Sequence, residues 1–490
     1  MIFNSITFLI FLALVLPTYY RLRQRGQNIF LLLASYVFYG WWNWRFVSLL
    51  LFSTFFDYWC ALWIEGEPNR TKRRLFLSFS MIVNLGVLSI FKYFNFFAGS
   101  LVHVLDFFGM KASFPVLHII LPVGISFYTF LSMSYTIDVY RGELKATHNP
   151  LDFMLYVAFF PHLVAGPIVR ASFLLPQCQR ARVIKPDEVL NGLWQILMGY
   201  VKKVVIADRL AGIVSLGFSH ASPPFADANA WLMLYAFAFQ IYGDFSGYTD
   251  IARGLSKLMG FELIPNFRAP YLVTNPSAFW QHWHISLSTW LRDYLYIPLG
   301  GNRRGPWRTY ANLMTTMLLG GLWHGAGVAF VLWGFYHGAL LAVHRAWHDF
   351  TGRGSRQPQE SEDPLARPLA HRIWDRTKHI LLVFFFFHLT CIGWLLFRTG
   401  SLPPQFDHVQ VVLGYLRAMF HFSLAGGVSP LAQSILLLGG VTLFLQIQNE
   451  KMDHFSDWKV RSQAAATALA LAAIAGLGVF EGTQFIYFKF

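Results

Sequence analysis

The sequence predicts an all-α, polytopic membrane protein with roughly 10–12 transmembrane helices and one or two re-entrant or interfacial helices. Hydrophobic residues make up 55% of the 490-residue chain and charged residues only 13%, against about 25% charged residues in a soluble globular domain. A soluble chain of this length would divide into several domains with polar surfaces, and too few charged side chains are present to cover them. The composition excludes a disordered protein, a coiled coil and a nucleic-acid-binding module, and a lipid bilayer is the solvent that fits it.

Apolar stretches of the length that crosses a bilayer recur along the chain. A spanning helix needs about 20 mostly apolar residues. Several of the stretches are short or interrupted by proline and glycine, which is why the expected number of spans is a range. The candidate spans are Ile2–Tyr20, Ile29–Trp42, Phe46–Ile64, Leu75–Ala98, Val116–Ile137, Phe153–Val169, Leu190–Ile206, Trp231–Tyr248, Asn312–Leu319, Val328–His344, His379–Phe397, Leu431–Ile447 and Ala464–Phe480.

The basic residues predict the orientation of the chain. The formal net charge is +14, and enrichment of Lys and Arg in cytoplasmic loops explains it better than nucleic-acid binding does. Three arginines at 21, 23 and 25 follow the first span, and four basic residues at 70 and 72–74 follow two more passes. Both groups are then cytoplasmic, and the amino terminus lies outside. The first stretch has no basic n-region and no A-x-A cleavage site, so we interpret it as a span and not as a secretory signal.

We expect one transmembrane domain over residues 1–490, with one long polar loop in it. Residues 351–378 carry six Lys or Arg and four Asp or Glu, together with Pro, Gly and Ser. This composition is typical of a flexible loop, which we place on the cytoplasmic side. No internal repeat is evident, and therefore no transporter-style symmetry.

The chemistry available to the chain is narrow. Cys60, Cys178 and Cys391 lie far apart without the spacing of a zinc site or a disulfide framework. Phosphate-binding loops, the G-x-S-x-G elbow and the H-E-x-x-H motif are missing from the sequence. We therefore expect no metal site and no serine nucleophile, and the remaining chemistry is a histidine base acting on bound substrates.

Two motifs in the middle of the chain do not resemble plain spans. Phe160–Arg170 carries two prolines and a histidine within apolar sequence, which favours either a kinked, packed helix or buried backbone that lines a cavity. Asp244–Asp250 places two carboxylates at membrane depth, where they need partners. Asp250 and Arg253 are one helical turn apart and are expected to pair. A structural polar network is the main alternative to direct chemistry here.

The stretch from Asn275 to Asn302 is the most informative. Asn275 is suited to cap a helix that has Pro276 in its first turn. Along one continuous helix, an aromatic face and a more polar stripe follow. His282 and His284 would lie about 200° apart around that helix and could not face one site. The aromatic face comprises Trp280, Trp283, Leu287 and Tyr294, the polar stripe His284 and Ser288, and the basic turn after them Arg303 and Arg304.

His324 lies in Gly320–Gly327, where small residues surround it within apolar sequence. Small residues allow another helix or a ligand to approach closely. From the residues alone, two interpretations stay open: a packed, hydrogen-bonding histidine and a catalytic one.

These motifs together resemble the membrane-bound O-acyltransferase family, and within it the alginate O-acetyltransferase branch. The family carries an invariant histidine in a small-residue helix, which corresponds to His324, and a second histidine in the preceding tryptophan-rich helix, which corresponds to His284. The blocks that carry the resemblance are Leu121–Tyr128, Phe160–Arg170, Asp244–Ala252, Phe279–Asn302, Gly321–Ala326 and Phe485–Phe488.

The resemblance implies helices around a central funnel in the bacterial inner membrane. Acetyl-coenzyme A enters as the donor substrate from the cytoplasm, and no cofactor is bound. An acceptor hydroxyl arrives from the other side, and acetyl groups finally reach an exported polysaccharide, most simply alginate. The expected partners are membrane lipid, periplasmic acetyltransferase or esterase-like proteins and the polysaccharide export machinery, with no nucleic acid.

The expected mechanism is general base catalysis by His324, since a neutral imidazole takes up a proton near physiological pH. His284 would orient a substrate or polarise the thioester carbonyl. Substrate-binding roles are expected for Trp280, Ser288, Trp323, Asp244 and Tyr248. Arg303 and Arg304 are candidates for donor phosphates, although a role as topology-setting charges is the simpler alternative.

Two other functions stay open at the level of sequence. One is the same chemistry on another polymer, such as cellulose or a wall polymer. The other is a non-catalytic transporter or export subunit, which predicts repeats and paired intramembrane charges.

Overall fold

A computed structural model describes residues 1–111, 113–117, 119–218, 230–351, 369–403, 406–420, 430–448, 451, 453–480 and 485–486. Within these ranges all regular structure is helical and there is no β-strand, which confirms the all-α fold class. The α-helices are α1 (Ile6–Tyr20), α2 (Gln24–Gly40), α3 (Arg45–Gly66), α4 (Arg70–Leu88), α5 (Phe94–Phe107), α6 (Ile125–Arg141), α7 (Pro150–Ala158), α8 (Phe160–Leu163), α9 (Ala171–Gln179), α10 (Pro186–Tyr200), α11 (Asp208–Gly217), α12 (Ala230–Leu258), α13 (Pro276–His282), α14 (Ile285–Leu291), α15 (Pro306–His324), α16 (Val328–Phe350), α17 (Leu369–Gly400), α18 (His408–Ala418), α19 (Pro430–Ile447) and α20 (Val460–Leu477).

Five of these helical segments are long and apolar enough to cross a membrane, counted over the described residues. They are Arg45–Gly66, Arg70–Phe107, Leu369–Gly400, Pro430–Ile447 and Val460–Leu477. The second consists of α4 and α5 joined through a π-helical turn, Ser89–Tyr93. The membrane character of the fold is therefore confirmed, whereas the total of 10–12 spans stays a prediction.

Helix starts follow the local capping chemistry of the sequence. The Asn275 side chain accepts a hydrogen bond from the Ala278 amide at 2.9 Å, and Pro276 opens α13, as predicted. Asn69 caps α4 in the same way, accepting from the Thr71 amide at 2.8 Å. Side-chain oxygens at these positions satisfy amides that have no partner within the helix.

Two predicted spans are shorter or broken in the structure. The stretch Val116–Ile137 becomes helical only at Ile125, because Gly124 adopts a left-handed conformation with φ 77° immediately before it. The stretch Phe153–Val169 is divided into α7 and α8 at Phe159, two residues before Pro161. Pro161 has no amide to donate to the carbonyl of residue 157, and its ring would clash with that carbonyl, so one helix cannot continue through this point.

The chain divides into two compact units. The first comprises Met1–Val205, Phe245–Pro265 and Met452–Lys489, and the second comprises Ile206–Asp244 and Asn266–Lys451. One of the crossings between them, from Asp244 to Phe245, falls within α12, which contributes residues to both.

In the first unit, a buried polar network joins α3, α4 and α6. The carboxylate of Asp57 accepts hydrogen bonds from the Ser80 hydroxyl at 2.6 Å and from the Asn84 amide at 2.9 Å. Ser80 also lies 3.1 Å from the Thr136 hydroxyl. These partners supply what a carboxylate at membrane depth requires.

The predicted pairing of Asp250 with Arg253 is wrong. Asp250 instead accepts from the Lys202 ammonium at 2.6 Å, and Arg253 pairs with Asp453 at 3.3 Å. Both partners come from distant parts of the first unit. The two side chains are one turn apart on α12, but each points to a different neighbouring segment.

The predicted flexible loop over residues 351–378 is described in the structure only at its two ends. Residues 352–368 lie outside the described residues, and α17 already begins at Leu369. The last ten residues of the predicted loop are therefore helical. Their side chains are exposed, except that of Arg372, which is half-buried.

Candidate active site

His324 is the last residue of α15, immediately before the turn into α16. The two helices of this hairpin touch along glycines. A Cβ on Gly321 would overlap the Phe330 carbonyl oxygen, and a Cβ on Gly334 would overlap the Met317 carbonyl oxygen. The expectation that small residues around His324 permit close helix approach is confirmed.

His284 lies at a break between two short helices, where the sequence had predicted one continuous helix. Helix α13 ends at His282, His284 has φ 42° and ψ 55° in the left-handed region, and α14 starts at Ile285. His282 and His284 therefore do not lie on one helix, and the expected separation of about 200° around a shared axis does not apply. Left-handed backbone is uncommon in any residue other than glycine, although histidine adopts it more often than most residues, so contacts from the surrounding structure are needed to hold it.

Asn266 supplies that support. Its carbonyl accepts from the Ile285 amide at 2.9 Å, and its side-chain oxygen accepts from the Ser286 amide at 3.2 Å. The Arg268 amide donates to the His282 carbonyl at 3.0 Å. The segment starting at Asn266 thus holds the chain on both sides of His284 and caps α14.

The two candidate histidines are brought together in the second unit. The ring centroids of His284 and His324 lie 6.3 Å apart, with 55° between the ring planes. Trp323 lies against both rings, at 5.9 Å from His284 and 5.0 Å from His324. Both histidines are buried, with exposures of 0% and 3%. The separation is short enough for one small reacting group to reach both imidazoles.

Aromatic edges complete the surroundings of His324. Trp333 lies 5.0 Å away at 85° and Phe397 lies 5.3 Å away at 73°, measured between ring centroids and planes. Sequence reasoning missed both residues, as it missed Asn266. Trp333 is on α16 and Phe397 on α17, and in the sequence neither is distinguishable from a packed aromatic residue of a span.

Three of the predicted substrate-binding residues lie in the same region of the second unit. Trp323 borders both imidazoles, and Trp280 lies 5.7 Å from Trp333. The Ser288 hydroxyl donates to the Trp283 carbonyl at 3.0 Å, so in this structure it supports the turn that carries His284.

The other two predicted substrate-binding residues fall on opposite sides of the unit boundary. Asp244 belongs to the second unit and is buried. Tyr248 belongs to the first, where its ring stacks on Phe3 at 4.5 Å and lies 4.9 Å from Phe485. In this unit Tyr248 borders a small cavity of about 20 Å³. Their roles in substrate binding stay predictions.

Arg303 and Arg304 lie in an exposed turn between Gly300 and Gly305. The Arg303 amide donates to the Gly300 carbonyl at 3.0 Å. The positive φ values of the glycines, 115° at Gly300 and 83° at Gly305, explain why this turn needs them. The exposed guanidinium groups are compatible with either of the two predicted roles.

The first unit contains a larger cavity of about 590 Å³, a size typical of ligand sites. Tyr39 at the end of α2 borders it, as do Trp41 and Trp42 immediately after that helix. Val164, from the block with two prolines, also borders it. Of the two interpretations of that block, buried irregular backbone that lines a cavity agrees with this arrangement.

The second-unit cluster can perform acid–base chemistry on a bound substrate. An imidazole both accepts and donates protons near neutral pH. Among the described residues, no group of three or more His, Cys, Asp and Glu side chains is arranged to hold a metal ion. The arrangement therefore offers two buried imidazoles within an aromatic enclosure.

Comparison with known proteins gives this geometry a context. Residues 38–357 match the family model described as MBOAT, membrane-bound O-acyltransferase family. The chain is 44% identical to a probable alginate O-acetylase of Pseudomonas aeruginosa, over 86% of this chain and 75% of the relative. It is 37% identical to a peptidoglycan O-acetyltransferase of Helicobacter pylori, over 72% of each. It is 27% identical to a teichoic acid D-alanyltransferase of Bacillus subtilis, over 56% of this chain and 68% of the relative.

Proposed function

The chain belongs to the membrane-bound O-acyltransferase family and is an acyltransferase, and from this premise we propose that it transfers acetyl groups from acetyl-coenzyme A for the O-acetylation of an exported polysaccharide, alginate. The observation that carries the proposal is the pair of buried imidazoles, His284 and His324, with ring centroids 6.3 Å apart. O-acylation requires an acceptor hydroxyl to lose its proton as it attacks, and a neutral histidine is suited to take that proton.

In the proposed step, the oxygen of the acceptor hydroxyl replaces the sulfur of coenzyme A on the acetyl carbonyl carbon. The acceptor hydroxyl attacks the thioester carbonyl carbon while His324 takes the hydroxyl proton. The carbon–sulfur bond breaks, and the coenzyme A thiolate leaves and takes up that proton from the imidazolium. The products are an acetyl ester and free coenzyme A, and His324 is again neutral.

His284 acts on the carbonyl in this scheme. When one of its ring nitrogens carries a proton, it donates to the oxygen on which negative charge develops. The rigid support from Asn266 matters here, since such stabilisation depends on a donor that is already in place. General base catalysis alone contributes about 10²–10⁴-fold, and holding donor and acceptor together contributes much of the remainder.

The substrate contacts follow the same arrangement. Trp280, Trp323 and Ser288 border the acetyl group and the acceptor, and Asp244 contacts the polymer end of the acceptor. The substrate-binding role of Tyr248, which belongs to the first unit, stays a separate prediction. Arg303 and Arg304 are exposed and bind the donor phosphates at the cytoplasmic edge. His284 and His324 face a passage through the helices that both substrates enter.

The location and partners extend this scheme. The protein lies in the bacterial inner membrane with its amino terminus in the periplasm, and the donor enters from the cytoplasm. Periplasmic acetyltransferase or esterase-like proteins and the polysaccharide export machinery are its partners in the cell, where they assist delivery to the exported polymer, while the chain itself acylates an alginate hydroxyl that reaches it. The basic residues that follow the first spans support this orientation.

Alginate is favoured over a wall polymer by the degree of similarity. The relatives whose names specify alginate are 41–45% identical over most of the chain, whereas those named for peptidoglycan and teichoic acid are 37% and 27% identical. Acetylation of a wall polymer or cellulose is the second candidate. It differs only in the acceptor, so one assay separates the candidates.

The test uses purified full-length protein with radiolabelled acetyl-coenzyme A and alginate, peptidoglycan or cellulose fragments as acceptors. We expect release of coenzyme A and labelling of alginate by the wild type. His324→Ala should lose at least about 10²-fold of this activity, the lower range for removal of a general base. His348→Ala, on α16 away from the imidazole pair, is the matched control.

Preference for another acceptor would overturn the polymer assignment alone. Equal transfer by the wild type and His324→Ala would overturn the role of His324. Export of polymer that is unaffected by His324→Ala, with no transfer by either protein, would favour the non-catalytic transporter.

A further inference from the structure

The larger cavity of the first unit, about 590 Å³ in volume, has no role in the proposed acetyl transfer. It is bordered by the start of α1, the end of α2, the segment before α6 and the turn after α8. At about 30 Å³ for each water molecule, this space would hold about 20 of them. A methylene group is about as large as a water molecule, so the space also has the size of one long hydrocarbon chain.

Most of the lining is apolar. Leu121 and Val123 border the cavity from the segment before α6, Val164 borders it from the turn after α8, and Trp41 and Trp42 border it from the turn after α2. Among the described residues, none of the bordering side chains is charged. A buried charge needs an opposite charge beside it, so this lining favours a hydrocarbon over the uronate units of alginate, each of which carries a carboxylate.

Two polar groups at the border of the cavity do not change this character. The Ser5 hydroxyl donates to the Ile2 carbonyl at 2.8 Å and accepts from the Phe8 amide at 3.2 Å, which caps α1. The Met1 amine donates to the Phe38 carbonyl at 2.9 Å. Burial lowers the pKa of this amine to about 6, so it is mostly uncharged at neutral pH. Neither group therefore offers the cation that an anionic sugar would need.

The surface around the cavity is that of a protein at the edge of a bilayer. Ile6, which lies between two lining residues at the start of α1, is 77% exposed, and Val37, directly before another lining residue of α2, is 54% exposed. Trp44, at the end of the turn after α2, is 74% exposed. Exposed aliphatic residues of a span contact lipid chains, and tryptophans are enriched where those chains meet the head groups. Lipid therefore lies directly beside the cavity.

Arg45 adds a positive charge at the level of Trp44. It is the first residue of α3, and its side chain is exposed. Its guanidinium carbon lies 5.8 Å from the centre of the Trp44 ring, and among the described residues it makes no ion pair with a carboxylate. An arginine without a carboxylate partner at the level of the head groups is suited to bind a lipid phosphate.

We propose that the cavity binds one acyl chain of a membrane glycerophospholipid and that the phosphate of this lipid binds Arg45. The polar end of the lipid then stays at the level of Trp44, while its chain lies between the ends of α1, α2 and α6. Such a lipid stabilises the first unit, because a ligand that binds only the folded state raises its stability. The site belongs to a different unit from the imidazole pair, and the assignment does not depend on acetyl transfer.

The test uses full-length protein in vesicles of phosphatidylethanolamine and phosphatidylglycerol, with a trace of phosphatidylglycerol that carries a photoreactive diazirine in one acyl chain. After illumination, the labelled residues are located by peptide mass spectrometry. We expect label on Val164, which borders the cavity but is only 5% exposed. Exposed residues such as Ile10 on α1 should also be labelled, by the surrounding lipid, and they serve as the internal reference.

Variants that fill the cavity should remove the label on Val164 and leave the label on Ile10 unchanged. Val123→Phe adds a ring to the lining and should reduce the label on Val164 about tenfold. Val104→Phe, the same change at an exposed position of α5, should leave both labels unchanged. Thr7→Phe adds a ring from α1 and should give the same loss, which keeps the test decisive should Val123→Phe fail to accumulate.

The phosphate contact is tested at Arg45. Arg45→Gln removes the charge and should reduce the label on Val164 about threefold, whereas Arg45→Lys should keep most of it. An unchanged label in Arg45→Gln would overturn the role of Arg45.

Three results would overturn the lipid site itself. They are absence of label on Val164 in the wild type, equal label in the wild type and the ring-bearing variants of the lining, and loss of the label when an alginate oligosaccharide is added, which would assign the cavity to a saccharide. Acetyl transfer enters none of these readouts, so failure of the lipid site and failure of the proposed function are recognised separately.

Discussion

The glycine contact between α15 and α16 should be sensitive to the addition of one methyl group. In Gly321→Ala, the new Cβ would overlap the Phe330 carbonyl oxygen and lie 3.1 Å from the Gly334 Cα. Both neighbours are backbone atoms, which cannot rotate away, so the hairpin must separate. Overpacking of this kind typically costs about 1–3 kcal/mol.

Activity should fall further than stability, because His324 lies one turn after Gly321 and moves with it. A displacement of about 1 Å at a reacting group can cost about 10²-fold in rate. Gly320→Ala is the matched control, since its Cβ would meet only the end of the Leu291 side chain, at 3.1 Å. That side chain can shift its rotamer at little cost.

Both variants are compared by thermal unfolding in detergent and by acetyl transfer from radiolabelled acetyl-coenzyme A. We expect Gly321→Ala to unfold several degrees lower and to lose about 10²-fold in transfer, with Gly320→Ala near wild type in both. If the two variants behave alike, close packing at Gly321 does not position His324.

Further variants separate backbone from side-chain roles and test one ion pair. His284→Gly should relieve the strain of the left-handed backbone at φ 42° and raise the free energy of unfolding by up to about 1 kcal/mol. Acetyl transfer should be lost, and a stable variant that still transfers acetyl groups would contradict the role of the imidazole. His282→Ala should be milder than His284→Ala, because the Nδ1 atom of His282 bonds only the local Ala278 carbonyl at 2.8 Å, and equal losses with normal accumulation would count against this. Asn266→Ala should lower the free energy of unfolding by about 1 kcal/mol, because the cap of α14 is lost. It should also lower the transfer rate per folded molecule at saturating donor, whereas a loss of stability alone would leave that rate unchanged. Burial raises the pKa of Asp453, but Arg253, Gln195 and Lys257 together lower it more, so that the net pKa is below its usual range. This carboxylate therefore stabilises the fold above its ordinary unfolded pKa of about 4, and that stability is lost as pH falls through the lower folded value. Acid unfolding monitored by circular dichroism should therefore be shallower in Asp453→Asn, and an unchanged acid transition would contradict the pairing.

The sequence was sufficient for the class of fold and for local features that depend on a few neighbouring residues. Hydropathy identified α3, α17 and α19 as spans, and capping chemistry located the start of α13 at Pro276. The glycines around His324 predicted close helix approach, because the absence of a side chain is itself the local signal. The fact that His284 and His324 belong to one site came from the family resemblance and not from spacing.

What could not be predicted depends on residues distant along the chain. The break at His284 is held by Asn266, whose side chain bonds an amide 20 residues later, whereas the aromatic periodicity continues through the break as though one helix were present. The local rule that pairs residues one turn apart also failed at Asp250, since Lys202, 48 residues earlier, lies closer in space. In both cases tertiary contacts override the local pattern.

The most direct test of the account is acetyl transfer across a sealed membrane. Full-length protein is reconstituted in vesicles with a single orientation, radiolabelled acetyl-coenzyme A is added on the side of the basic loops, and an alginate oligosaccharide is enclosed on the other side. We predict ester label on the enclosed oligosaccharide with the wild type and at least about 10²-fold less with His324→Ala. Equal labelling by the two proteins, or transfer only when donor and acceptor share one side, would contradict the claim that two buried imidazoles act on substrates from opposite sides of the membrane.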